Sequence, residues 1–323
     1  MHVRTGLTGP FPRSEELVRA TRDLDRGRAS PEAVEALYLR TELEVASLER
    51  RLGFSHVTAG YLRWPDLFRG FAESWEGFSV GSLTRWFETN TFYRQPVLLS
   101  PPIRVPGAFA ARLPPPLRSD PGAAKVLLPG PYTFAGLLDN RSGETDLSLV
   151  HRLGRLLADE VRELRGNGFT TFQFTDPLLV VRPPDGPRAE AVVEAYGSIE
   201  PACDGGTSIV WTFGADAVPA LGLLDRLPVT VVGIDLADTD VERIPAGGER
   251  PALGLGVLDP RTTLAEEPAE VVRVVRAAAE RRGAREVWLG PGAGLDLLPP
   301  DPATRKLEVL SRVQRTLTKG GRP

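Results

Sequence analysis

The chain has few of the side chains that bind transition metals or act as strong nucleophiles. Its 323 residues include one cysteine, Cys203, and three histidines, His2, His56 and His151. A single cysteine cannot form an internal disulfide, and the neighbouring Asp204 disfavours the thiolate of Cys203. The histidines are too scattered along the chain for a metal triad. A metal-dependent hydrolase or a thiol enzyme is therefore poorly supported.

Long apolar runs and a strong net charge are also missing. The chain shows no run of membrane-spanning length and no N-terminal basic-then-apolar signal. Its 39 basic and 42 acidic residues give a net charge of −3, so no global field attracts nucleic acid or anionic lipid. With 41% apolar and 25% charged residues, the chain can form a full core. We expect a globular, cytoplasmic protein that binds neither nucleic acid nor membrane.

What the sequence does contain is a repeat of strand-like and helical segments. Short apolar or β-branched runs end at Gly, Pro or Asp and are followed by amphipathic stretches. Eight such runs begin at His2, His56, Ala124, Thr170, Ser208, Val229, Ala252 and Arg285. Eight buried parallel strands alternating with helices predict an α/β protein, a single (β/α)₈ TIM barrel over residues 1–323. An open doubly wound sheet usually has fewer strands and a glycine-rich loop after the first.

One segment, residues 77–121, interrupts this repeat between the second and third strands. It is aromatic at first and then rich in proline. We predict an ordered excursion, a hairpin over the barrel mouth. Its aromatic residues are Trp86, Phe87, Phe92 and Tyr93, which either stack on a flat ligand or pack a small core of their own.

Polar residues follow the predicted strands, at the end of a barrel where catalytic groups lie. The strand-ending residues are Arg13, Gly60, Arg63, Asp66, Pro129, Gly130, Asp176, Thr212, Phe213, Asp235, Asp259 and Gly292. Each alone is typical of turn or cap chemistry. Together they predict a mouth that binds a small polar or anionic ligand, with Asp66, Asp176, Asp235 and Asp259 as candidates for acid–base work.

Seven segments, in order, resemble the cobalamin-independent methionine synthase family. They are GPFPRSEEL (9–17), GYLRWPDLFRGFAE (60–73), WFETNTFYRQP (86–96), KVLLPGPYTFAGL (125–137), WTFGAD with LPVTVVGIDLADTD (211–240), LGLGVLDPRTT (253–263) and GPGAGLDLLPPDPATRKLEVL (290–310). The full-length enzymes of that family are two fused barrels, and the C-terminal barrel holds a zinc ion through His, Cys, Glu and Cys. This chain has the length of one barrel.

The resemblance implies that the zinc ligands are missing here. The family's His-x-Cys pair falls on Val210 and Thr212, its glutamate on Asp235, and its last cysteine on Ala293. Valine, threonine and alanine supply neither a thiolate nor an imidazole. We therefore expect no zinc, and the motifs resemble the zinc-free N-terminal barrel more than the catalytic one.

The family's N-terminal barrel helps to hold the methyl-folate donor, and its basic entrance contacts the polyglutamate tail. Carried onto this chain, the substrate-binding residues are Arg13, Ser14, Glu15, Glu16, Leu17, Arg85, Asn90 and Tyr93. Glu15 and Glu16 would repel a glutamate tail. Arg13 and Arg19 would have to compensate for this repulsion. The run Asp176-Pro177 matches an acidic run that orients the amino-acid acceptor in the family, with Thr175 in place of one acid.

Two functions follow from these observations. The first is a zinc-less donor-binding subunit that works with a separate zinc-bearing methionine synthase barrel, with methyl-folate as a possible ligand. The second is a stand-alone diverged methyltransferase, or an enzyme similar to the uroporphyrinogen decarboxylase barrels, that works without metal. In both cases the ligand is a small methyl donor or an amino acid.

Overall fold

The computed structural model describes residues 1–86, 92–247 and 251–319. Its strands are β1 (His2–Thr5), β2 (Glu76–Arg85), β3 (Phe92–Ile103), β4 (Lys125–Pro129), β5 (Asp139–Asn140), β6 (Thr171–Thr175), β7 (Thr207–Trp211), β8 (Val231–Asp235), β9 (Ala252–Leu258) and β10 (Glu286–Pro291). Its α-helices are α1 (Glu15–Asp25), α2 (Pro31–Arg51), α3 (Arg69–Ala72), α4 (Pro115–Ser119), α5 (Pro131–Leu137), α6 (Asp146–Gly166), α7 (Leu178–Val181), α8 (Gly186–Cys203), α9 (Leu221–Leu224), α10 (Pro268–Arg282) and α11 (Pro300–Lys319). No helix in these ranges is long and apolar enough to cross a membrane.

A curled parallel sheet forms the centre of the molecule, in the order β1-β10-β9-β8-β7-β6-β4. Its seven strands confirm seven of the eight predicted runs and the barrel-like α/β fold. The run from His56 is not a strand, and only Val57 makes a bridge, to Ala124. The N–H of Ser55 donates to the carbonyl of Thr5 at 2.9 Å, and that of Lys125 to the carbonyl of Val57 at 2.9 Å. Residues 55–57 therefore link β1 to β4 and close the ring.

The predicted second strand fails because the chain turns immediately after Val57. Ala59, Gly60 and Tyr61 have φ angles of 53°, 73° and 48°, a left-handed backbone that non-glycine residues rarely adopt. The buried carboxylate of Glu49 accepts hydrogen bonds from the N–H and hydroxyl of Thr58 and from the N–H of Ala59, at 2.8–3.0 Å. Burial raises the pKa of Glu49 to about 7. This tertiary contact overrides the strand propensity of the run.

The predicted excursion contains a hairpin, as expected. Strands β2 and β3 are antiparallel, and β3 also pairs with β5, so that a second sheet has the order β2-β3-β5. Aromatic rings from the excursion pack against residues that flank it. Phe71 stacks on Phe109 with centroids 4.3 Å apart, and Phe78 stacks on Phe134 at 5.7 Å. The hairpin is thereby fixed to the body of the barrel.

A tryptophan fills the barrel interior just below the mouth. Trp211 on β7 lies in an interior cluster with Ile209, Val231 and Trp288. A Cβ added to Gly233 would lie 2.1 Å from the Trp211 ring, and one added to Gly254 would lie 2.9 Å from it. The indole N–H donates to the carbonyl of Gly292 at 2.8 Å. The positions on β8 and β9 that face the indole are therefore glycines, because the ring occupies that space.

We predict that Gly233→Ala lowers the free energy of unfolding by about 1–3 kcal/mol, because the new methyl group overlaps the Trp211 ring. Urea denaturation measures this change. Gly222→Ala is the matched control, since an added Cβ there meets nothing within 4 Å. Equal effects of the two substitutions would contradict the tight packing of Trp211 on the glycine strands.

Candidate active site

A cavity of about 490 Å³ opens at the carboxyl ends of the barrel strands. Its walls come from the ends of several barrel strands and from three other parts of the chain. The loop after β1 contributes Phe11 and Arg13, the segment after the left-handed turn contributes Trp64, and the hairpin contributes Trp86 and Tyr93. The predicted excursion thus borders the mouth, as its aromatic composition indicated.

The aromatic side chains of this cavity are held in place by contacts behind them. Tyr93 is 3% exposed, and its hydroxyl donates to the carbonyl of Leu137 at 2.8 Å. Burial raises the pKa of Tyr93 to about 12, so the phenol stays protonated. Trp86 packs edge-on against Tyr93 with centroids 5.6 Å apart. Of the predicted aromatic cluster, Phe92 also lines the cavity, whereas Phe87 lies outside the described residues.

Two of the candidate carboxylates line the cavity, Asp66 in the segment after the left-handed turn and Asp235 at the end of β8. Asp235 is the more enclosed of the two. It is 4% exposed, and its Oδ1 accepts a hydrogen bond from the N–H of Ala237 at 3.0 Å. Within the described residues, its Oδ2 accepts none. A Cβ added to Gly292 would lie 2.4 Å from Asp235 Oδ1, so glycine is needed there. Burial, followed by the charges of Asp238 and Asp259, raises the pKa of Asp235 to about 7. Its carboxyl group can therefore give or take a proton near neutral pH.

Asp176, a third candidate, does not face the cavity. Its side chain is fully buried, and its Oδ1 accepts from the N–H and hydroxyl of Thr133 at 2.7 and 2.5 Å. Its Oδ2 accepts from the hydroxyl of Tyr196 at 2.8 Å. These bonds join the end of β6 to α5 and α8. The expectation that Asp176 works at the mouth is corrected, because its carboxylate is enclosed by structural donors.

Asp259, the fourth candidate, is the partner of an arginine. Arg261 donates from Nε to Asp259 at 2.9 Å and from Nη1 to Asp238 at 2.7 Å. Burial alone would raise the pKa of Asp259, but the hydrogen bonds and charge of Arg261 outweigh it and hold that pKa below its usual value. Arg261 lines the cavity, whereas Asp259 lies behind it. No local pattern predicted this role for Arg261, because its two partners lie on different loops.

The candidate substrate-binding residues after β1 divide into two groups. Arg13 lines the cavity, and in the described part of the chain it pairs with no carboxylate. Ser14 caps α1 by accepting from the N–H of Leu17 at 3.2 Å, and the Leu17 side chain is buried in the core. Glu16 pairs with Arg40 at 2.6 Å. Glu15 is exposed at the start of α1.

The remaining candidates are on the hairpin. Arg85 ends β2, is exposed and does not line the cavity. Asn90 lies outside the described residues. Tyr93 does line the cavity. The geometry thus brings Arg13 and Tyr93 to one space, and ligand binding by these residues stays a prediction.

The zinc positions expected on β7, Val210 and Thr212, do not face the barrel interior, because neighbouring side chains on a strand face opposite ways and Trp211 faces inward. Val210 packs in the core outside the interior cluster, and Thr212 donates its hydroxyl to the carbonyl of Gly233 at 2.9 Å. Trp211 and Phe213 face the barrel interior and mouth instead, and Phe213 lines the cavity. Neither ring binds a metal.

The donor set at the mouth does not fit zinc. Ala293 lines the cavity with Phe213 and Asp235, and zinc sites use thiolates, imidazoles and carboxylates in sets of three or four. Across residues 1–86, 92–247 and 251–319, no group of three or more His, Cys, Asp or Glu side chains is arranged to hold a metal ion. Cys203 is buried at the end of α8, and burial raises its pKa to about 12.

Comparison with protein-family models gives one match. Residues 66–283 match the family described as cobalamin-independent synthase, N-terminal domain. This range runs from the segment before the hairpin to the end of α10, and so covers most of the barrel strands.

Curated relatives and solved structures agree with this match. The chain is 30% identical over 244 residues to a 5-methyltetrahydropteroyltriglutamate–homocysteine methyltransferase of Nitratidesulfovibrio vulgaris, covering 68% of this chain but 30% of that protein. It is 25% identical over 316 residues to a methionine synthase of Sulfurisphaera tokodaii, covering 94% of this chain and 89% of that protein. A B12-independent methionine synthase from Shewanella sp. W3-18-1, in complex with selenomethionine, superposes with a TM-score of 0.73 at 16% identity, covering 98% of this chain and 97% of that one. A putative one from Listeria monocytogenes gives 0.70 at 13%, covering 98% and 99%.

We predict that Asp235→Asn changes how stability depends on pH. The folded pKa of Asp235, about 7, lies above its ordinary value of 3.8, so the folded chain keeps a proton that the unfolded chain loses between these pH values. The wild-type chain therefore loses stability as pH rises from 4 to 7, by an amount on the order of 3 kcal/mol from this group. Denaturant unfolding at pH 4.5 and 7.5 should show that Asp235→Asn removes this part of the loss.

Asp259→Asn is the control with the opposite sign, since the pKa of Asp259 is lowered in the folded chain. Asp259→Asn should lower the free energy of unfolding at pH 7.5, and should lower it by a smaller amount at acid pH. An unchanged pH dependence in Asp235→Asn would mean that the carboxyl group is not enclosed as described.

Proposed function

Because this chain belongs to the cobalamin-independent methionine synthase family, we propose that it takes part in methyl transfer to homocysteine as a zinc-less barrel. In this proposal its mouth binds the methyl donor, and a separate zinc-bearing barrel of the family activates the acceptor thiol. The cytoplasmic location expected from the sequence stays a prediction.

The observation that carries this proposal is the set of side chains at the strand ends. Methyl transfer to a thiol requires the thiolate, and an ordinary thiol is mostly protonated at neutral pH. A zinc ion supplies that activation when it is held by thiolate or imidazole ligands. At this mouth Phe213, Ala293 and Asp235 line the cavity near the expected zinc positions, and the lining carboxylates are not grouped in threes within the described chain, so the donor set is too weak. The activating step is therefore assigned to another barrel.

The shape of the cavity supports donor binding. A volume of about 490 Å³ lies in the range that encloses a small organic ligand. The rings of Trp86 and Phe92, the latter 54% exposed, offer flat apolar surface for a heterocycle such as a pterin. Arg13 adds a cation at the edge of the same cavity, suited to the carboxylate of a methyl-folate tail.

A stand-alone methyltransferase is the second candidate, favoured by two observations. Asp235 lies in the cavity with a pKa of about 7, which suits a general acid or base. The chain also spans 89% of the length of the methionine synthase of Sulfurisphaera tokodaii. In this case the chain would turn over without a second barrel.

Methionine formation from homocysteine and methyl-folate triglutamate distinguishes these proposals. We expect the purified chain alone to form no methionine, and to raise the rate of a zinc-bearing barrel from the same organism when the two are mixed. Methionine formation by the chain alone would support the stand-alone enzyme, and no effect on the mixture would contradict the partner role.

Calorimetric titration with the same methyl-folate tests donor binding directly. Arg13→Gln should weaken binding about tenfold, because a charge-assisted contact is lost. Arg22→Gln removes the same charge from an exposed position on α1, outside the cavity, and should leave the affinity unchanged. A flat titration of the wild-type chain, with and without the partner barrel, would remove methyl-folate as the ligand.

A further inference from the structure

A second, smaller cavity lies next to the mouth and is lined mainly by arginines. It has a volume of about 210 Å³ and is lined by Arg63, Trp64, Pro65, Arg69, Gly70, Glu73 and Arg112. Trp64 and Pro65 also line the large cavity, so the two cavities share a wall. The shared wall is firm, since Trp64 is 8% exposed and packs edge-on against Tyr61 and Phe109, with centroids 5.0 and 5.3 Å away.

Two of the arginines have enclosed donors with no acceptor in the described residues. Arg63 donates from Nε to Glu42 at 2.8 Å and from Nη1 to Glu35, but its Nη2 has no partner. Arg69 donates from Nη1 to Glu73 at 3.3 Å, and its Nη2 lies 3.8 Å from Asp66, but its Nε has no partner. Enclosed N–H groups without an acceptor are costly, and each such group calls for an explanation.

The charge of the lining also favours an anion. Three guanidinium groups and one carboxylate, that of Glu73, line the small cavity. Glu73 bridges two of the arginines, since it accepts from Arg112 Nη1 at 2.7 Å as well as from Arg69. Arg112 is 41% exposed, so the cavity is open to solvent on that side. The positive excess is confined to the lining itself, because Glu42, Glu35 and Asp66 pair with Arg63 and Arg69 from outside the cavity, and with Glu73 they bring four carboxylates to three guanidinium groups.

We propose that this small cavity is a binding site for an oxyanion group, a carboxylate or a phosphate, separate from the site at the mouth. The planar forks of Arg63, Arg69 and Arg112 match the oxygen spacing of such groups. A bound oxyanion offers acceptors to Arg63 Nη2 and Arg69 Nε once these side chains turn toward it, since both atoms are enclosed here. Without the oxyanion, Glu73 pairs with both Arg69 and Arg112. When the oxyanion binds, the Glu73 carboxylate competes with it for these two arginines.

Titration calorimetry of the whole chain with inorganic phosphate and with glutarate tests this site. We expect saturable binding of at least one of the two anions at one site per chain. Tighter binding of glutarate would identify the natural group as the carboxylate of an organic ligand, and tighter binding of phosphate would identify a phosphate. Saturable binding of neither anion would overturn the proposal.

Substitutions of the lining residues test whether the anion binds in the small cavity. Arg112→Gln should weaken anion binding about tenfold, and Arg112→Lys should weaken it less because the charge is kept. Glu73→Gln should tighten binding up to about fivefold, since a competing carboxylate is removed. Arg22→Gln, with the same loss of charge away from the cavity, should bind as the wild type does. Binding that is unchanged in both Arg112→Gln and Glu73→Gln would overturn the site.

Discussion

The position of the Trp211 indole determines most of what this barrel can do. An eight-stranded barrel leaves an interior just wide enough for side chains, so an indole fits only where facing residues are very small. Gly233 and Gly254 provide that space, and the carbonyl of Gly292 accepts the indole N–H. The ring closes the barrel below the mouth. Trp211 does not itself line the cavity, but Phe213, two residues further along the chain, and Asp235 both do.

This arrangement changes the chemistry of the mouth relative to a zinc barrel. The strand that would present metal ligands presents Trp211 and Phe213, and the last turn presents Ala293. The cavity is therefore an aromatic space whose charged lining consists of Arg13 and Arg261 and four carboxyl groups, those of Asp66, Asp235, Asp238 and Asp296. Such a space suits the binding and orientation of a ligand better than the activation of a thiol. The three-arginine cavity behind Trp64 adds a second, polar place for a ligand.

Much of the fold could be predicted from sequence because its signals are local. Seven strands, the helices between them and the hairpin follow from apolar runs, caps and turns, and the family followed from seven segments in order. The strand predicted from His56 was wrong because the left-handed turn after Val57 depends on the side chain of Glu49, which lies on α2. The predicted place of Asp176 at the mouth failed for a similar reason, since Thr133 on α5 and Tyr196 on α8 enclose its carboxylate.

The residues of the site could not all be predicted, because the sequence alone does not show which side chains of a strand point into the barrel. A shift of one residue on β7 exchanges Val210 and Thr212 for Trp211 and Phe213. The alternating glycines in VVGID and ALGLG were a usable signal, since they predict that a large side chain lies across them. The pairing of Arg261 with Asp259 and Asp238 had no such signal.

The proposed partner role requires that this mouth does not hold a zinc ion. Elemental analysis of the chain, purified without chelators from cells grown with added zinc, is the most direct test. The account predicts zinc far below one ion per chain, and no increase after dialysis against micromolar zinc. One tightly held zinc ion per chain would contradict it.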